Sequence, residues 1–342
     1  MRADQNSLNN KNVHSTGVFL ERMQFFYELF PYPNRPVFLR PNPKGSIEAH
    51  AGYAHIIAAQ DDSPFPGNID DLQLRDVRHA FPVSKRIALV GCGTDEPLLF
   101  RALHPHNPIV SIDLSHRSLL RAEKKLRWHR FKPMTLVHGD AETVLKQEGI
   151  FDHIQCFGVL HHQPDPQKLL RAMSDALTHN GTLRLMIYSA KGRLLERGLQ
   201  RRFQNFWHSL NVGQSEDSTA VGLGARISLK WLTFKLLLWR LFLPLLGSSA
   251  KSRRFRYIGL SRARLADAFL HPSDHALSLR DTLNWAAQCG LKLVSYKAKS
   301  YDLGWLSSHS HPQISLQTLV DEEEHGNIST NIVLVFKKVG TA

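Results

Sequence analysis

Residues 87–94 read Ile87-Ala88-Leu89-Val90-Gly91-Cys92-Gly93-Thr94, an apolar run of strand length that passes directly into a glycine-rich turn. Glycines permit positive φ angles and let the backbone approach a bound molecule closely. The next segment, 96–100, has the pattern of a helix, and the amides at a helix N-terminus attract an anion. About twenty residues farther on, a second apolar run ends at Asp113, whose carboxylate could accept hydrogen bonds from a ribose diol. This order predicts a buried strand, a ligand cradle and a nucleoside site.

Three further apolar runs continue the alternation of strand-like and helical segments. The third run, 135–137, ends in His138-Gly139-Asp140-Ala141. The fourth, 151–157, continues into Gly158-Val159-Leu160-His161-His162, and the fifth, 182–188, follows an Asn-Gly turn and ends at Tyr188. Alternating strands and helices predict an α/β fold with a largely parallel sheet.

The glycine loop, the acids after the second and third runs and the Gly-Val-Leu-His-His segment together resemble class I S-adenosylmethionine-dependent methyltransferases. The resemblance is to the broad small-molecule-type group with a Gly-Cys-Gly-Thr loop, and it covers residues 81–190. It implies a doubly wound, mostly parallel, seven-stranded sheet of the Rossmann-like methyltransferase type. A late helix and two late strands are needed to complete this sheet, with one strand antiparallel at its edge. The candidates are residues 278–289, 291–296 and 331–337.

The resemblance also implies which residues hold S-adenosylmethionine. Gly91 and Gly93 would line its methionine part, and Asp113 would bind its ribose. Asp113 and Asp140 also suit helix N-caps, and for Asp140 both roles are compatible. The whole predicted cofactor set comprises Gly91, Cys92, Gly93, Thr94, Asp113, Leu114, Asp140 and Ala141 at the adenine edge, and Phe157 and Gly158 on the sulfonium side.

Two positions depart from the pattern of many family members. Leu89 stands where many have an acid, and Asp95 stands where many have a third glycine. An acid at Asp95 beside Glu96 is expected to repel the carboxylate of the cofactor and attract its ammonium group. Glu96 also occupies the third glycine position of the dinucleotide-binding Gly-x-Gly-x-x-Gly pattern, which disfavours a dehydrogenase because an acid there opposes a pyrophosphate.

Methyl transfer from a sulfonium is an in-line displacement, so alignment supplies most of the catalytic effect. A general base matters only for an acceptor that is protonated at neutral pH. The candidates are His161, His162 and Tyr188, because all three follow strands at the edge where ligands bind in such sheets. A structural role for the two histidines stays open, and Tyr188 is expected to form a wall of the site rather than to act as a base.

No metal site is predicted. Histidines recur in the short segments at 104–106, 271–272 and 308–311, but no carboxylate or cysteine set accompanies them with ligand spacing. Solvent-exposed loop histidines are therefore expected. The three cysteines, Cys92, Cys156 and Cys289, are far apart and predict neither a disulfide nor a zinc framework.

The 342-residue chain is long enough for a large core with a smaller domain. Its first residues contain no apolar signal segment, and a cytoplasmic location is expected. An aromatic patch at 25–33 resembles an element that precedes the core in related methyltransferases, where it serves as a lid or packs against the domain. The predicted organisation is an extension at 1–80, a cofactor-binding core at 81–190, a basic, apolar-rich helical insertion at 191–275, and a part at 276–342 that completes the sheet.

The excess of positive over negative charge in the chain is concentrated in the insertion. Residues 191–264 contain fifteen Lys and Arg against three acids, whereas the whole chain has a net charge of +13. This clustering favours an anionic partner, either a membrane surface or RNA. Within it, 227–246 is strongly apolar but is interrupted by Lys230, Lys235 and Arg240. A packed lid or dimer helix, an interfacial membrane helix and a membrane span are the alternatives, with the packed helix favoured.

The sequence therefore predicts a methyltransferase that acts on a small or lipid-like acceptor, cytoplasmic and in one variant peripheral at a membrane. An RNA methyltransferase gains support from the basic insertion with its interleaved aromatic residues. It loses support because the fourth run reads Cys156-Phe157-Gly158-Val159, not the Asn/Asp-Pro-Pro-Tyr/Phe signature of base-amine methylation. A module that kept the fold but lost the cofactor is the third alternative.

Overall fold

A computed structural model describes residues 17–41, 82–194, 197–198, 200–201, 227–235, 262–275, 277–307 and 315–339. The chain divides into two compact units. The larger unit comprises Arg35–Leu194 and His275–Ala342 and contains the sheet. The smaller unit comprises Met1–Asn34 and Leu195–Asp274.

The larger unit is built on one sheet with the strand order β3-β2-β1-β4-β5-β8-β6-β7. Strands β1 to β5 are parallel to one another. Strand β8 is antiparallel to β5 and β6, and the short β7 is antiparallel to β6. The strands are β1 Ile87–Val90, β2 Ile109–Asp113, β3 Thr135–His138, β4 Phe151–Phe157, β5 Leu177–Tyr188, β6 Leu291–Ser300, β7 Gly304–Ser307 and β8 Ile328–Lys338.

The predicted doubly wound, mostly parallel, seven-stranded sheet is confirmed, and β7 extends it by one short edge strand. The expected place of the antiparallel strand was wrong. Strand β8 lies between β5 and β6 and pairs along both of its sides, so its apolar residues Ile332, Leu334 and Phe336 are buried within the sheet and not at an edge. The predicted late strands correspond to β6 and β8.

Several of the described α-helices begin at a side-chain cap. Ser115, Asp140, Asp165, Ser278 and Ser315 each accept a hydrogen bond from the backbone amide three residues on, which stabilises a helix start. The helices include α1 at 17–29, α2 Glu96–Leu103, α3 His116–Trp128, α4 Ala141–Glu148, α5 Pro166–Asp175, α6 at 227–235, α7 Arg262–Phe269, α8 Leu279–Gln288 and α9 Leu316–His325. The predicted late helix is α8.

Alternate residues of β1 bury into two different cores, one on each face of the sheet. Ala88 and Val90 join a cluster with apolar residues of α4, α5, α8 and α9. Ile87 and Leu89 join a second cluster with Phe100 and Leu103 of α2 and Leu119 of α3. Helices therefore cover both faces, which explains why β1 is apolar throughout and not alternating.

The smaller unit has its own apolar core, formed by residues from α1, α6 and α7. Phe26 of the aromatic patch is fully buried and packs with Leu229, Ala266 and Leu270. The apolar run predicted over 227–246 forms helix α6 at 227–235, and the rest of that run lies outside the described residues. Among the helices of the described ranges, none is both long and apolar enough to cross a membrane.

Candidate cofactor and acceptor site

The glycine loop, residues 91–94, turns sharply between β1 and α2. Gly91 and Gly93 have φ angles of +63° and +57°, a region that favours glycine. A Cβ atom at Gly91 would overlap Cγ2 of Val159, which lies in the segment after β4. The loop is pinned to the next strand because Cys92 N donates to Ile112 O at 3.1 Å. Glycine is thus required at residue 91 for both backbone conformation and close packing.

Asp113, the last residue of β2, fastens this loop. Its Oδ2 accepts a hydrogen bond from Gly93 N at 2.7 Å, and its Oδ1 accepts one from Ser115 N at 2.8 Å. Its own carbonyl accepts from Gly139 N at 3.1 Å, so the ends of β1, β2 and β3 are joined. The neighbouring Leu114 is half-buried, and its carbonyl lies 3.0 Å from His138 Nε2. Asp113 therefore shapes the crevice in addition to its predicted role toward a ribose.

Asp140 and Ala141 lie at the end of β3, where α4 begins. Asp140 is half-buried, and its Oδ2 accepts from both the amide and the hydroxyl of Thr143 at 3.0 Å. Asp140 is thus the N-cap of α4, the alternative that its sequence context left open. The cap uses Oδ2, and a carboxylate has further acceptor sites, so the predicted adenine contact remains a prediction compatible with capping.

Phe157 and Gly158 form the end of β4 and the start of the loop after it. Gly158 has a φ of +73°, and its amide donates to Met186 O at 3.2 Å. The guanidinium of Arg184 lies over the ring of Phe157, with Cζ 4.4 Å from the ring centroid. The loop after β4 therefore turns back over β5 and faces the glycine loop through Val159.

Asp95 makes contacts that its sequence position did not predict. Its carboxylate pairs with the buried ammonium group of Lys125 in α3 and with Nε of Arg35 at 3.1 Å. Lys125 also donates to the hydroxyl of Thr94 at 3.2 Å. The expected repulsion between Asp95 and the carboxylate of the cofactor is opposed by these two cations, because opposite charges at contact distance cancel most of the field of the acid.

The three candidate catalytic side chains lie together in a ring stack, defined as His161, His162, Tyr188 and Arg193. The ring centroid of His161 lies 4.2 Å from that of His162 and 3.9 Å from that of Tyr188. Arg193 covers the ring of Tyr188, with Cζ 3.8 Å from its centroid. Both histidines and Arg193 are buried, and Tyr188 is half-buried. The stack is a densely packed wall beside the ends of β4 and β5.

Arg193 was missed as a site residue, although it was counted within the basic insertion. Its position five residues after Tyr188 was the available signal, but no periodicity predicts that the chain folds back there. The turn at 191–193 brings the guanidinium onto the face of the phenol ring. A cation over an aromatic ring is attracted by the ring quadrupole, more strongly when the pair is shielded from water.

A second missed group lies on the α2 face of the sheet and contains Glu96, Gln155 and Arg184. Gln155 Nε2 donates to Glu96 Oε1 at 3.3 Å, and Arg184 Nη1 donates to Gln155 Oε1 at 3.4 Å. Burial raises the pKa of Glu96 to about 8, although the Gln155 hydrogen bond and the Arg184 charge oppose the rise. Burial, with the charge of Arg184, also lowers the pKa of the neighbouring His153 to about 3.

The expectation of exposed loop histidines was wrong at two positions. His104 is buried with its ring 5.8 Å from that of Phe100, and His271 is buried with Nε2 3.0 Å from the hydroxyl of Tyr27. In both cases neighbouring aromatic residues cover the imidazole. The histidines at 309 and 311 lie outside the described residues. Cys92, Cys156 and Cys289 are buried free thiols.

Residues 86–215 match the family model described as a methyltransferase domain. This range is similar to a methyltransferase domain, and it contains strands β1 to β5. It includes the glycine loop, Asp113 and the ring stack, so the predicted cofactor and acceptor residues all lie within the matched range.

Similar proteins extend the comparison beyond the range that matches the family model. The uncharacterized protein syc1184_c of Synechococcus sp. is 32% identical over 204 residues, which are 57% of this chain and 43% of that protein. The structure of PKMT2 from Rickettsia typhi has a TM-score of 0.52 at 16% identity and covers 88% of this chain. The same protein in complex with AdoHcy gives 0.53 at 15% identity. These structures show a shared fold. The chain spans less than half of the Synechococcus protein and 54% of PKMT2.

Proposed function

We propose that the protein is an S-adenosylmethionine-dependent methyltransferase. The observation that carries the proposal is the glycine loop held against β2 by Asp113, inside a methyltransferase domain. Gly91 and Gly93 turn the backbone sharply through positive φ angles at the carboxyl ends of the parallel strands, the edge where ligands bind in such sheets. The likeness to a fold that binds AdoHcy in PKMT2 supports the same ligand here.

The residues fit the two halves of the cofactor. Gly91, Cys92, Gly93 and Thr94 would face its methionine half, and Asp113 with Leu114 would face its ribose. Asp140 and Ala141 would border the adenine, and Phe157 and Gly158 would border the sulfonium. When bound, S-adenosylmethionine supplies a methyl group already activated by the positive sulfur.

The chain supplies alignment and a shielded wall for the acceptor. Tyr188 is held between Arg193 on one face and His161 on the other, which fixes the phenol ring in one orientation. A fixed aromatic wall restricts how an acceptor approaches the methyl group, and restriction of this kind supplies much of the rate of a displacement. His161 and His162 are the candidate proton acceptors at this wall, and Tyr188 is proposed as the wall itself.

A small or lipid-like acceptor is the proposed substrate class, with an anionic membrane surface as the partner. Helix α6 supports this choice because Ile227, Trp231 and Phe234 are exposed, beside the exposed Lys230 and Lys235. Lys235 Nζ lies 3.6 Å from the centroid of the Trp231 ring. Apolar side chains bordered by lysines suit the interface of an anionic bilayer. The proposed setting is a cytoplasmic enzyme that meets a membrane peripherally.

Calorimetric titration with S-adenosylmethionine and S-adenosylhomocysteine tests the activity at its first step. Micromolar binding of both ligands is expected, on the order of −8 kcal/mol. A protein that binds neither would be a module that kept the fold without the cofactor. Incubation with methyl-labelled cofactor and lipid extract, beside an RNA pool, then identifies the acceptor class by the fraction that takes up label.

Co-sedimentation with vesicles tests the partner. A large fraction of the protein should sediment with vesicles of phosphatidylserine and phosphatidylcholine, whereas a much smaller fraction should sediment with vesicles of pure phosphatidylcholine. The double substitution Trp231→Ala with Phe234→Ala should reduce sedimentation severalfold, and Leu120→Ala, at an exposed apolar residue of α3, serves as the control. Equal sedimentation of both variants would contradict the role of α6, and label in RNA would favour the RNA alternative.

A further inference from the structure

A buried polar row crosses the sheet directly beneath the glycine loop. Leu89, Gln155 and Arg184 are register partners on β1, β4 and β5, so their side chains share one face. Arg184 is fully buried there, and its partner on β8, Val335, belongs to the apolar cluster of that face. Glu96, in the first turn of α2, adds its carboxylate to this row through Gln155. The carboxylate of Glu96 thus lies on the face of the sheet where β1 carries the apolar side chain of Leu89.

Three carboxylates border the glycine loop, and they differ in what they already bind. Both oxygens of Asp113 accept backbone N–H groups. Asp95 is paired with Lys125 and Arg35. Glu96 has one oxygen bonded to Gln155, whereas its Oε2 is buried and has no hydrogen-bond partner among the residues described. Glu96 is therefore the carboxylate of the three that has an oxygen with no hydrogen-bond partner among the residues described.

The charges around Glu96 indicate what kind of ligand group would pair with its unpartnered oxygen. The charged and titratable groups that face it are Asp113, Arg184, and the thiols of Cys92 and Cys156. Burial is the main cause that raises the pKa of Glu96 to about 8, and the single cation, Arg184, offsets it only in part. A buried carboxylate with an open oxygen is costly in its charged form unless a cation pairs with it. The site thus favours a ligand that brings a positive charge.

We propose that Glu96 binds the α-ammonium group in the methionine half of S-adenosylmethionine. This inference rests on the proposed function, which places the methionine half against Gly91 and Gly93. Glu96 follows Gly93 by three residues and is the first residue of α2, and its Oε2 has no hydrogen-bond partner among the residues described. An ammonium group carries three donors and matches the unpartnered oxygen in charge and in hydrogen-bonding capacity.

The main alternative is that Glu96 only supports Gln155 and Arg184 within the fold. The two roles predict different ligand dependence. A receptor for the ammonium affects ligands that carry the amino-acid half and leaves an adenosyl ligand without that half unaffected. A purely structural residue affects both ligands in the same proportion, or neither.

Calorimetry on the full chain separates the two roles. S-adenosylhomocysteine and 5′-methylthioadenosine, which lacks the ammonium and the carboxylate, are titrated into wild type, Glu96→Gln and Glu123→Gln. Glu123 is an exposed carboxylate of α3, so its substitution is matched in charge and remote from the loop. We expect Glu96→Gln to lower the affinity for S-adenosylhomocysteine at least tenfold and to change the affinity for 5′-methylthioadenosine by less than twofold. Glu123→Gln should change neither.

The pH dependence supplies a second readout. Binding of an ammonium requires ionised Glu96, so wild-type affinity for S-adenosylhomocysteine should rise severalfold between about pH 7 and pH 8.5, and the rise should vanish in Glu96→Gln. Glutamine is nearly isosteric with protonated glutamate, so the melting temperature at pH 7 should stay within a few degrees of wild type.

An equal loss of affinity for both ligands in Glu96→Gln, or an unchanged affinity for S-adenosylhomocysteine, would overturn the role of Glu96 while leaving the proposed function intact. A wild-type protein that binds neither ligand would overturn the proposed function and this inference with it.

Discussion

Replacement of Asp113 by asparagine removes one charge without changing side-chain size, and it tests how the crevice is held together. The carboxylate accepts two backbone N–H groups, from Gly93 at 2.7 Å and from Ser115 at 2.8 Å. An amide has one oxygen, so it can accept from only one of them, and its NH₂ group then faces the other donor. Ser115 is fully buried, so its amide cannot turn to water instead.

The expected cost follows from these two hydrogen bonds. A hydrogen bond to a charged group contributes about 1.5–3 kcal/mol, and a buried donor left unsatisfied costs about 1–3 kcal/mol. We therefore expect Asp113→Asn to lower the free energy of unfolding by about 2–4 kcal/mol. The matched control is Asp165→Asn at the N-cap of α5, where asparagine caps as well as aspartate and a change below about 0.5 kcal/mol is expected.

Urea unfolding followed by circular dichroism measures both variants. The transition midpoint of Asp113→Asn should fall with an unchanged slope. Calorimetry with S-adenosylhomocysteine should show at least a tenfold loss of affinity, about 1.4 kcal/mol, because both the proposed ribose acceptor and the loop geometry are altered. The reasoning is refuted if Asp113→Asn costs no more stability than Asp165→Asn, and the ribose assignment is refuted if affinity is unchanged.

Three further perturbations test other parts of the site. Gly91→Ala should destabilise the protein by at least about 2 kcal/mol, from the left-handed backbone and the overlap with Val159, and adding Val159→Ala should recover only the steric part in urea unfolding. Burial lowers the pKa of His153 to about 3 from its ordinary value of 6.5. The neutral His153 therefore contributes to the free energy of unfolding above pH 6.5, and this contribution is lost as the pH falls from 6.5 toward 3, at up to about 1.4 kcal/mol per pH unit. In His153→Gln the free energy of unfolding should fall less steeply over this pH range, and an identical fall would count against this assignment. Lys125→Met should cost about 2 kcal/mol by leaving Asp95 with a weaker partner, and adding Asp95→Asn should restore most of it; a double variant no more stable than the single one would contradict the pairing.

The strand ends of the candidate site could be predicted because they depend on local order. A run of apolar residues, a glycine turn and an acid at the end of the next run place Gly91 and Asp113 at the same edge of a parallel sheet. The same reasoning placed His161, His162 and Tyr188 at that edge, and the structure brings their rings into contact. Neighbouring parallel strands end together, so these residues needed no knowledge of long-range packing.

Contacts across elements could not be predicted in this way. Arg193 reaches Tyr188 only because the chain turns back after β5, and Asp95 meets Lys125 only because α2 and α3 pack side by side. The cation Arg184 sits in a strand that otherwise reads as apolar, and its partner Gln155 is 29 residues away. No spacing in the sequence relates such pairs, since side-chain direction and helix packing decide which atoms meet.

By itself, the amino-acid sequence determined the strand and helix pattern, the parallel half of the sheet, the glycine loop and the acid that follows it, because hydrophobic periodicity and backbone requirements act over a few residues. The tertiary structure alone decided that β8 inserts between β5 and β6, that Asp95 is neutralised, and that Glu96 presents a buried open oxygen beneath the loop. These outcomes depend on which surfaces exclude water from one another, and burial of that kind exists only once distant segments have packed.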